Sequence, residues 1–494
     1  MKLSELQAAL PDAVPDAVAD AAPDAVSNEA GDAGQAPPQG LSPAALPAIA
    51  AGGVPRLRHR IAIISEHASP LSAPGSIDCG GQNVYVAQLA RELARAGHAV
   101  DVFTRRDAPG QRQVVHWADG VRVIHVPAGP ARYVPKEALL PHVDAFARFV
   151  TRFVRRQPSE YDIVHANFFM SGMVAQHLKE ALGLPFVITF HALGRVRRRA
   201  QGTADAFPLA RMRIEAGLMR SADRIIAECP QDRQDMERLY GAPPSRITVA
   251  PCGFSPDELW PVPLPEARTR LGLDQDRFIV LQLGRMVPRK GVDTVIQGVA
   301  MLRRRHGVDA ELLIVGGDTS GGVPSRISGH VSGQVPHISS DGVELARLRS
   351  VAADLGIAAH VRFTGQQPRA ALRDYYSAAN VFASTPWYEP FGITPVEAMA
   401  CARPVIGSEV GGIKSTVSDG LTGFLIPSRD PETLAERMAR LHRHPELART
   451  MGEAGRRRAC ELYTWRHVAT QLLAVYGDVL DETRSALAPA ILPT

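Results

Sequence analysis

Paired cysteines are the first thing this chain lacks. Its five cysteines (Cys79, Cys229, Cys252, Cys401 and Cys460) are scattered, odd in number and never spaced as C-x-x-C. That excludes a disulfide framework, argues against a zinc site and fits a reducing cytoplasm. No apolar run reaches the length of a membrane span. No basic start followed by a long apolar stretch marks a secretory leader. No D-x-D follows a strand-like run and no H-x-x-x-H occurs, so no metal site and no required cofactor are read. Aromatic residues make up only 6% and do not interleave with basic ones, so a nucleic-acid surface is not read either.

What is present is a long, mildly basic chain with an acidic start. Its 494 residues exceed one ordinary core and suit two domains. Residues 1–55 hold one lysine against seven acids, a net −6 within an overall +4, so the remainder carries +10. A basic body suits anionic small ligands such as nucleotides. The start repeats Pro-Asp-Ala-Val at 11–14, 15–18 and 23–26 and has few large apolar residues, the composition of a disordered tail.

From Arg60 the pattern alternates. Buried-strand runs fall at 60–65, 99–103, 121–126, 162–166, 185–190, 224–228 and 246–250, mostly separated by helical stretches. In the first of these stretches Val86, Leu89, Ala90 and Leu93 share a face, and Gly97 ends it. A Pro-rich break near 255–275 reads as a linker. The alternation restarts at 278–284, 310–317, 361–365, 381–385, 404–408 and 423–427, with a Gly/Ser-rich loop over 316–342 and final helices near 431–445 and 466–482. The expected architecture is α/β: two facing, doubly wound, Rossmann-like domains. The boundaries are a tail at 1–55, a first domain at 56–260, a second at 261–464 and a closing helix and tail at 465–494.

Four motifs carry chemistry. The sharpest is E-P-F-G-I-T-P-V-E, from Glu389 to Glu397. Gly392 permits a turn and Pro395 suits the first turn of a helix, so Glu389 falls on a loop and Glu397 about one turn into a helix. The backbone N–H groups of Phe391, Gly392, Ile393 and Thr394 are then placed to meet an anion. A nucleotide sugar needs this set: a carboxylate for the sugar, another for the ribose, and N–H groups for the diphosphate. The plainer alternative is a helix with an acidic start. Arg285 and Lys290 follow a buried strand and suit a leaving diphosphate, against the alternative of a solvated basic loop. Gly80-Gly81 precede a helix and let backbone approach a phosphate, though neither a P-loop nor a G-x-G-x-x-G fingerprint is present. His191, just after a strand, is placed to bond a sugar hydroxyl or to serve as an ordinary structural histidine.

In this order and on these elements, the motifs resemble those of the family-4 retaining glycosyltransferases with the GT-B fold, over roughly residues 58–482. The resemblance implies Glu389 on the transferred sugar, Glu397 on the ribose, Arg285 and Lys290 on the diphosphate, Gly81 near it, and His191 near the sugar. It also implies a last helix that crosses back to the first domain. Residues 78–106 and 129–146 are similar to bacterial sucrose-phosphate synthases and sucrose synthases. Residues 67–75 are closer to the inositol-phosphate N-acetylglucosaminyltransferase of mycothiol synthesis. By that likeness Lys136 and Arg211 hold the acceptor, while Ala192 stands where that enzyme has a threonine. The implied reaction is retaining transfer of a hexose, glucose by preference, from a nucleotide-diphosphate sugar to a hydroxylated small molecule with or without a phosphate. UDP-glucose is the favoured donor; ADP-glucose, GDP-mannose and UDP-N-acetylglucosamine stay open. Two alternatives are kept. One is a lipid acceptor at a membrane surface, through the cations Arg195, Arg197, Arg198, Arg199, Arg148, Arg152, Arg155 and Arg156. The other is a catalytically silent nucleotide-sugar-binding module.

Overall fold

The computed structural model describes residues 58–72, 80–317 and 340–487. The expectations for the 1–55 tail, for Cys79 and for most of the 316–342 loop lie outside them. The first lobe is built on β1 (Arg60–Ile64), β2 (Ala99–Arg105), β3 (Val114–Ala118), β4 (Val121–Val126), β5 (Ile163–Asn167), β6 (Phe186–Thr189), β7 (Arg224–Ala227) and β8 (Ile247–Val249). They order as β3-β4-β2-β1-β5-β6-β7-β8. All pairings are parallel except the β3–β4 hairpin at the edge. β1 is central, and Ile61 to Ile64 are wholly buried, because helices cover both faces of the sheet. The helix Gly81–Arg95 turns Val86, Leu89, Ala90 and Leu93 inward, as their spacing requires.

The second lobe contains β9 (Phe278–Leu283), β10 (Ala310–Val315), β11 (Val361–Gly365), β12 (Val381–Ser384), β13 (Val405–Ser408) and β14 (Gly423–Ile426), ordered β11-β10-β9-β12-β13-β14 and parallel throughout. Its inner strands β9, β10, β12 and β13 are likewise mostly buried runs rather than alternating ones, whereas the edge strand β11 is partly exposed. The helix Pro431–Arg443 begins at Asp430, whose carboxylate accepts from the Thr433 N–H at 2.9 Å.

Several elements escaped the sequence pattern, among them the helix Leu264–Leu271 inside the Pro-rich break read as a linker. β3 is a half-exposed edge strand without a continuous apolar run. The helix Pro445–Leu462 follows its predecessor after only His444, so the two run together in the sequence.

The chain crosses between lobes twice, near Phe254 and near Thr464. The crossings are zipped together: Phe254 N–H donates to Tyr463 C=O at 2.8 Å and Trp465 N–H to Phe254 C=O at 3.0 Å. The helix Trp465–Leu487 then packs on Gly81–Arg95 of the first lobe. Its Tyr476 hydroxyl meets His165 Nδ1 at 2.6 Å in the core, and Thr189 Oγ1 meets His165 Nε2 at 2.9 Å. Burial, and secondarily the neighbouring His191, pushes the His165 imidazole down to about 3.

Candidate active site

A cavity of about 920 Å³ lies between the lobes, at the carboxyl ends of both sets of strands. Topology explains its contents. β9, β12 and β13 are neighbours in one parallel sheet, so the loops after them emerge side by side. The β9 loop carries Arg285 and Lys290; the β12 loop carries Glu389. Trp387 N–H donates to Arg289 C=O at 2.8 Å and the Thr385 hydroxyl to Gly291 C=O at 2.7 Å, which clamps the loops together. Lys290 Nζ consequently donates to Glu389 Oε2, with Arg289 at 3.9 Å from the same oxygen. Burial alone would raise the Glu389 pKa, but Lys290 and Arg289 outweigh it and hold the carboxyl below its usual range. Burial lowers Lys290 despite Glu389.

The β13 loop supports this arrangement from beneath. Gly411 sits at φ +47°, and a Cβ there would lie 1.8 Å from the Glu389 carbonyl oxygen. Gly412 N–H donates to that same carbonyl at 3.1 Å. Gly392, at φ +94°, caps the helix Ile393–Ala400, whose first residues Ile393 and Thr394 line the cavity. Opposite, Gly80 caps the helix Gly81–Arg95. A Cβ on Gly80 would be 3.8 Å from Arg285, and one on Gly81 would be 3.5 Å from Ile393. Two helix N-termini and two cations therefore converge from opposite lobes, a setting suited to a polyanion.

In the first lobe β5, β6 and β7 are neighbours, and their ends bring Asn167, His191 and Glu228 together. His191 Nδ1 faces Glu228 Oε1 at 2.9 Å, and Nε2 faces Asn167 Oδ1 at 2.9 Å. The Tyr85 ring meets the imidazole edge-on at 4.8 Å. His191 adopts φ +59°, an uncommon conformation for a non-glycine residue and one that clusters at functional sites. The Cys252 thiol donates to Glu228 Oε1 at 3.1 Å, and burial followed by Glu228 pushes that thiol well above its ordinary value.

Glu397 is almost fully buried. Arg369 Nη1 donates to its Oε1 at 2.9 Å and the Tyr376 hydroxyl to its Oε2 at 2.8 Å.

Gly81, Lys136, His191, Arg285, Lys290, Glu389, Phe391, Gly392, Ile393, Thr394 and Glu397 all line the cavity. Arg211, expected to hold the acceptor, is not among the lining residues. It lies one layer behind the wall, paired with Glu215 at 2.7 Å and stacked on Phe168, Phe169 and Phe207 at 4.5–5.0 Å. Its guanidinium also donates to the Ala192 carbonyl. The cation that reaches the wall near Lys136 is Arg197, held by Asp205 at 2.9 Å. Residues the motifs did not single out are Glu228, Asn167, Arg369 and Glu258. Of these only Glu228 had a visible signal, a carboxylate at the end of the strand-like run 224–228. Among the described residues no group of three histidine, cysteine or acidic side chains is gathered to hold a metal ion. No helix there is long and apolar enough to cross a membrane.

Comparison with known proteins places the chain in a family. The family model "Glycosyltransferase Family 4" matches residues 79–258 and "Glycosyl transferases group 1" matches 264–458, one per lobe. The D-inositol 3-phosphate glycosyltransferase of Acidothermus cellulolyticus is 36% identical over 445 residues, 88% of this chain and 94% of that protein. The chain is a family-4 glycosyltransferase. A second relative, D-inositol 3-phosphate glycosyltransferase 1 of Catenulispora acidiphila, is 35% identical over 427 residues, 86% of the enzyme and 97% of that protein. The solved structure of sucrose-phosphate synthase from Thermosynechococcus elongatus aligns at TM-score 0.77 with 33% identity, covering 86% of the enzyme and all of that chain. Anabaena HepE, solved with UDP-glucose, shares the fold at TM-score 0.63 and 19% identity, over 87% and 100% of the two chains. The fold is thus GT-B, two Rossmann-like lobes around an interlobe cleft.

Proposed function

We propose that this glycosyltransferase moves a hexose, with glucose preferred, from a nucleotide-diphosphate sugar to a phosphorylated small hydroxylated acceptor, with retention at the anomeric carbon. The observation that carries this reading is the meeting of Lys290, Arg285 and the Ile393–Ala400 helix N-terminus with Glu389 and Glu397 in one cavity. The diphosphate binds the cations and the helix N-terminus, competing for Lys290 and leaving Glu389 to accept from sugar hydroxyls. Glu397 accepts from the ribose. His191, oriented by Glu228 and Asn167, faces the sugar from the first lobe.

The acceptor enters on the first-lobe side, where Lys136 and Arg197 supply positive charge beside Phe168 and Phe207. Relatives named for inositol 3-phosphate and for sucrose phosphate support an acceptor that carries phosphate. The acceptor hydroxyl attacks the anomeric carbon from the face the diphosphate leaves. The bond from that carbon to the diphosphate oxygen breaks, the bond to the acceptor oxygen forms, and the departing diphosphate oxygen takes the hydroxyl proton. No protein carboxylate acts as nucleophile, unlike the paired carboxylates of retaining glycosidases.

The test is nucleotide release by the full chain across UDP-glucose, ADP-glucose, GDP-mannose and UDP-N-acetylglucosamine. Each donor is paired with inositol 1-phosphate, inositol 3-phosphate, fructose 6-phosphate and fructose, and the product's anomeric configuration is read by NMR. Release that requires one phosphorylated acceptor and keeps the donor's configuration is expected. An inverted product, or release indifferent to every acceptor, refutes the proposal.

A further inference from the structure

Glu397 is reached from the first lobe through three side chains. Gln88, on the Gly81–Arg95 helix, donates through Nε2 to Glu258 Oε1 at 3.0 Å. Glu258 lies in the segment that joins the lobes, and its other oxygen accepts from Arg369 Nε at 2.5 Å. Arg369 Nη1 completes the line on Glu397 Oε1 at 2.9 Å. Gln88 and Glu397 are buried, and Glu258 and Arg369 are mostly so. Breaking a buried ion pair by removing one partner is costly, and the Tyr376 hydroxyl holds only the other oxygen, so Glu397 depends on Arg369 for its orientation. The planar guanidinium spans two carboxylates at fixed geometry, which the point charge of an ammonium does not.

We propose that Arg369 is a positioning residue for the nucleotide: it holds Glu397 ready for the ribose hydroxyls, and through Glu258 and Gln88 it makes that hold depend on the first lobe. The proposal rests on the donor reading above. It has a selective consequence. A ligand with a ribose feels the relay, whereas one made only of phosphate binds at Lys290, Arg285 and the helix N-terminus and does not.

The experiment is calorimetry on the full chain. The probes are whichever of UDP, ADP and GDP binds best and, separately, inorganic pyrophosphate. Arg369→Gln is expected to weaken the nucleoside diphosphate by about tenfold or more while pyrophosphate stays within about twofold. Arg369→Lys keeps the charge and recovers part of the loss. Glu258→Gln, at a less buried position, weakens nucleotide binding by about threefold to tenfold with the same selectivity. Unchanged nucleotide affinity in Arg369→Gln overturns the proposal. So does a parallel loss of nucleotide and pyrophosphate, which marks damage to the lobe rather than to the ribose site. A wild-type chain that binds pyrophosphate but none of the three nucleotides overturns the donor reading itself.

Discussion

Acid is expected to loosen the C-terminal helix through one buried imidazole. His165 titrates near 3 in the fold against an ordinary 6.5, because burial, and then His191, opposes its charge. Its two ring nitrogens meet hydroxyls, Tyr476 on the crossing helix and Thr189 on β6, which serve a neutral ring equally well as donors or acceptors. The folded value lies below the unfolded one, so the neutral form is the one the fold favours. The resulting stability is complete above 6.5 and is lost as the pH falls from 6.5 toward 3. At about pH 5 the unfolded histidine is charged while the folded one is not. The gap from 6.5 is about one and a half units, each worth about 1.4 kcal/mol, so about 2 kcal/mol is lost. His165→Gln removes the titration and retains hydrogen-bonding capacity. Urea unfolding at about pH 7.5 and about pH 5, with hydrogen exchange across 465–487, compares the two proteins. The wild type is expected to lose about 2 kcal/mol more than the variant, with exchange quickening first in that helix. Equal losses in the two proteins would refute the reasoning, since His191 and every other titrating group are common to both.

The remaining predictions concern the cleft. Glu389→Ala leaves Lys290 without its carboxylate and is expected to lower kcat by about a hundredfold or more, whereas Glu397→Ala raises the donor KM more than it lowers kcat; near-normal kinetics in both would dismiss the assignment. Gly411→Ala drives a methyl into the Glu389 carbonyl and is expected to cut activity by about tenfold or more with the circular dichroism spectrum retained; full activity would show that the loop yields without cost. Activity is expected to persist in excess chelator, and complete loss restored by magnesium or manganese would contradict the leaving-group role given to Lys290 and Arg285. Glu228→Gln keeps shape but removes the charge behind His191, and is expected to lower kcat by about tenfold with donor KM little changed; a change confined to KM would place Glu228 in binding instead.

Periodicity and composition carried much of the fold. Parallel strands buried on both faces must be apolar runs, so β1, β9 and β10 could be read directly, and Val86, Leu89, Ala90 and Leu93 announced the face their helix buries. The antiparallel β3 could not be read, because an edge strand with one wet face has no such run. The compact E-x7-E segment was legible for a local reason: a loop carboxylate, a turn glycine and a helix carboxylate lie within nine residues, and short-range geometry alone places them.

Whatever depends on which loops become neighbours was decided by the tertiary structure. Lys290 meets Glu389 across 99 residues only because β9 and β12 are adjacent in the sheet. Arg211 falls behind the cavity wall rather than on it because the rings of Phe168, Phe169 and Phe207 close over its guanidinium. Gln88, Glu258 and Arg369 form a line to Glu397 only after the chain has crossed between lobes and folded back. Sequence alone determined most of the buried strands, the amphipathic helices with a clear apolar face, and where the charged ends of two helices lie, because those follow from local pattern. Which charges face one another, and which are buried with a partner, was left to packing between residues far apart in the chain.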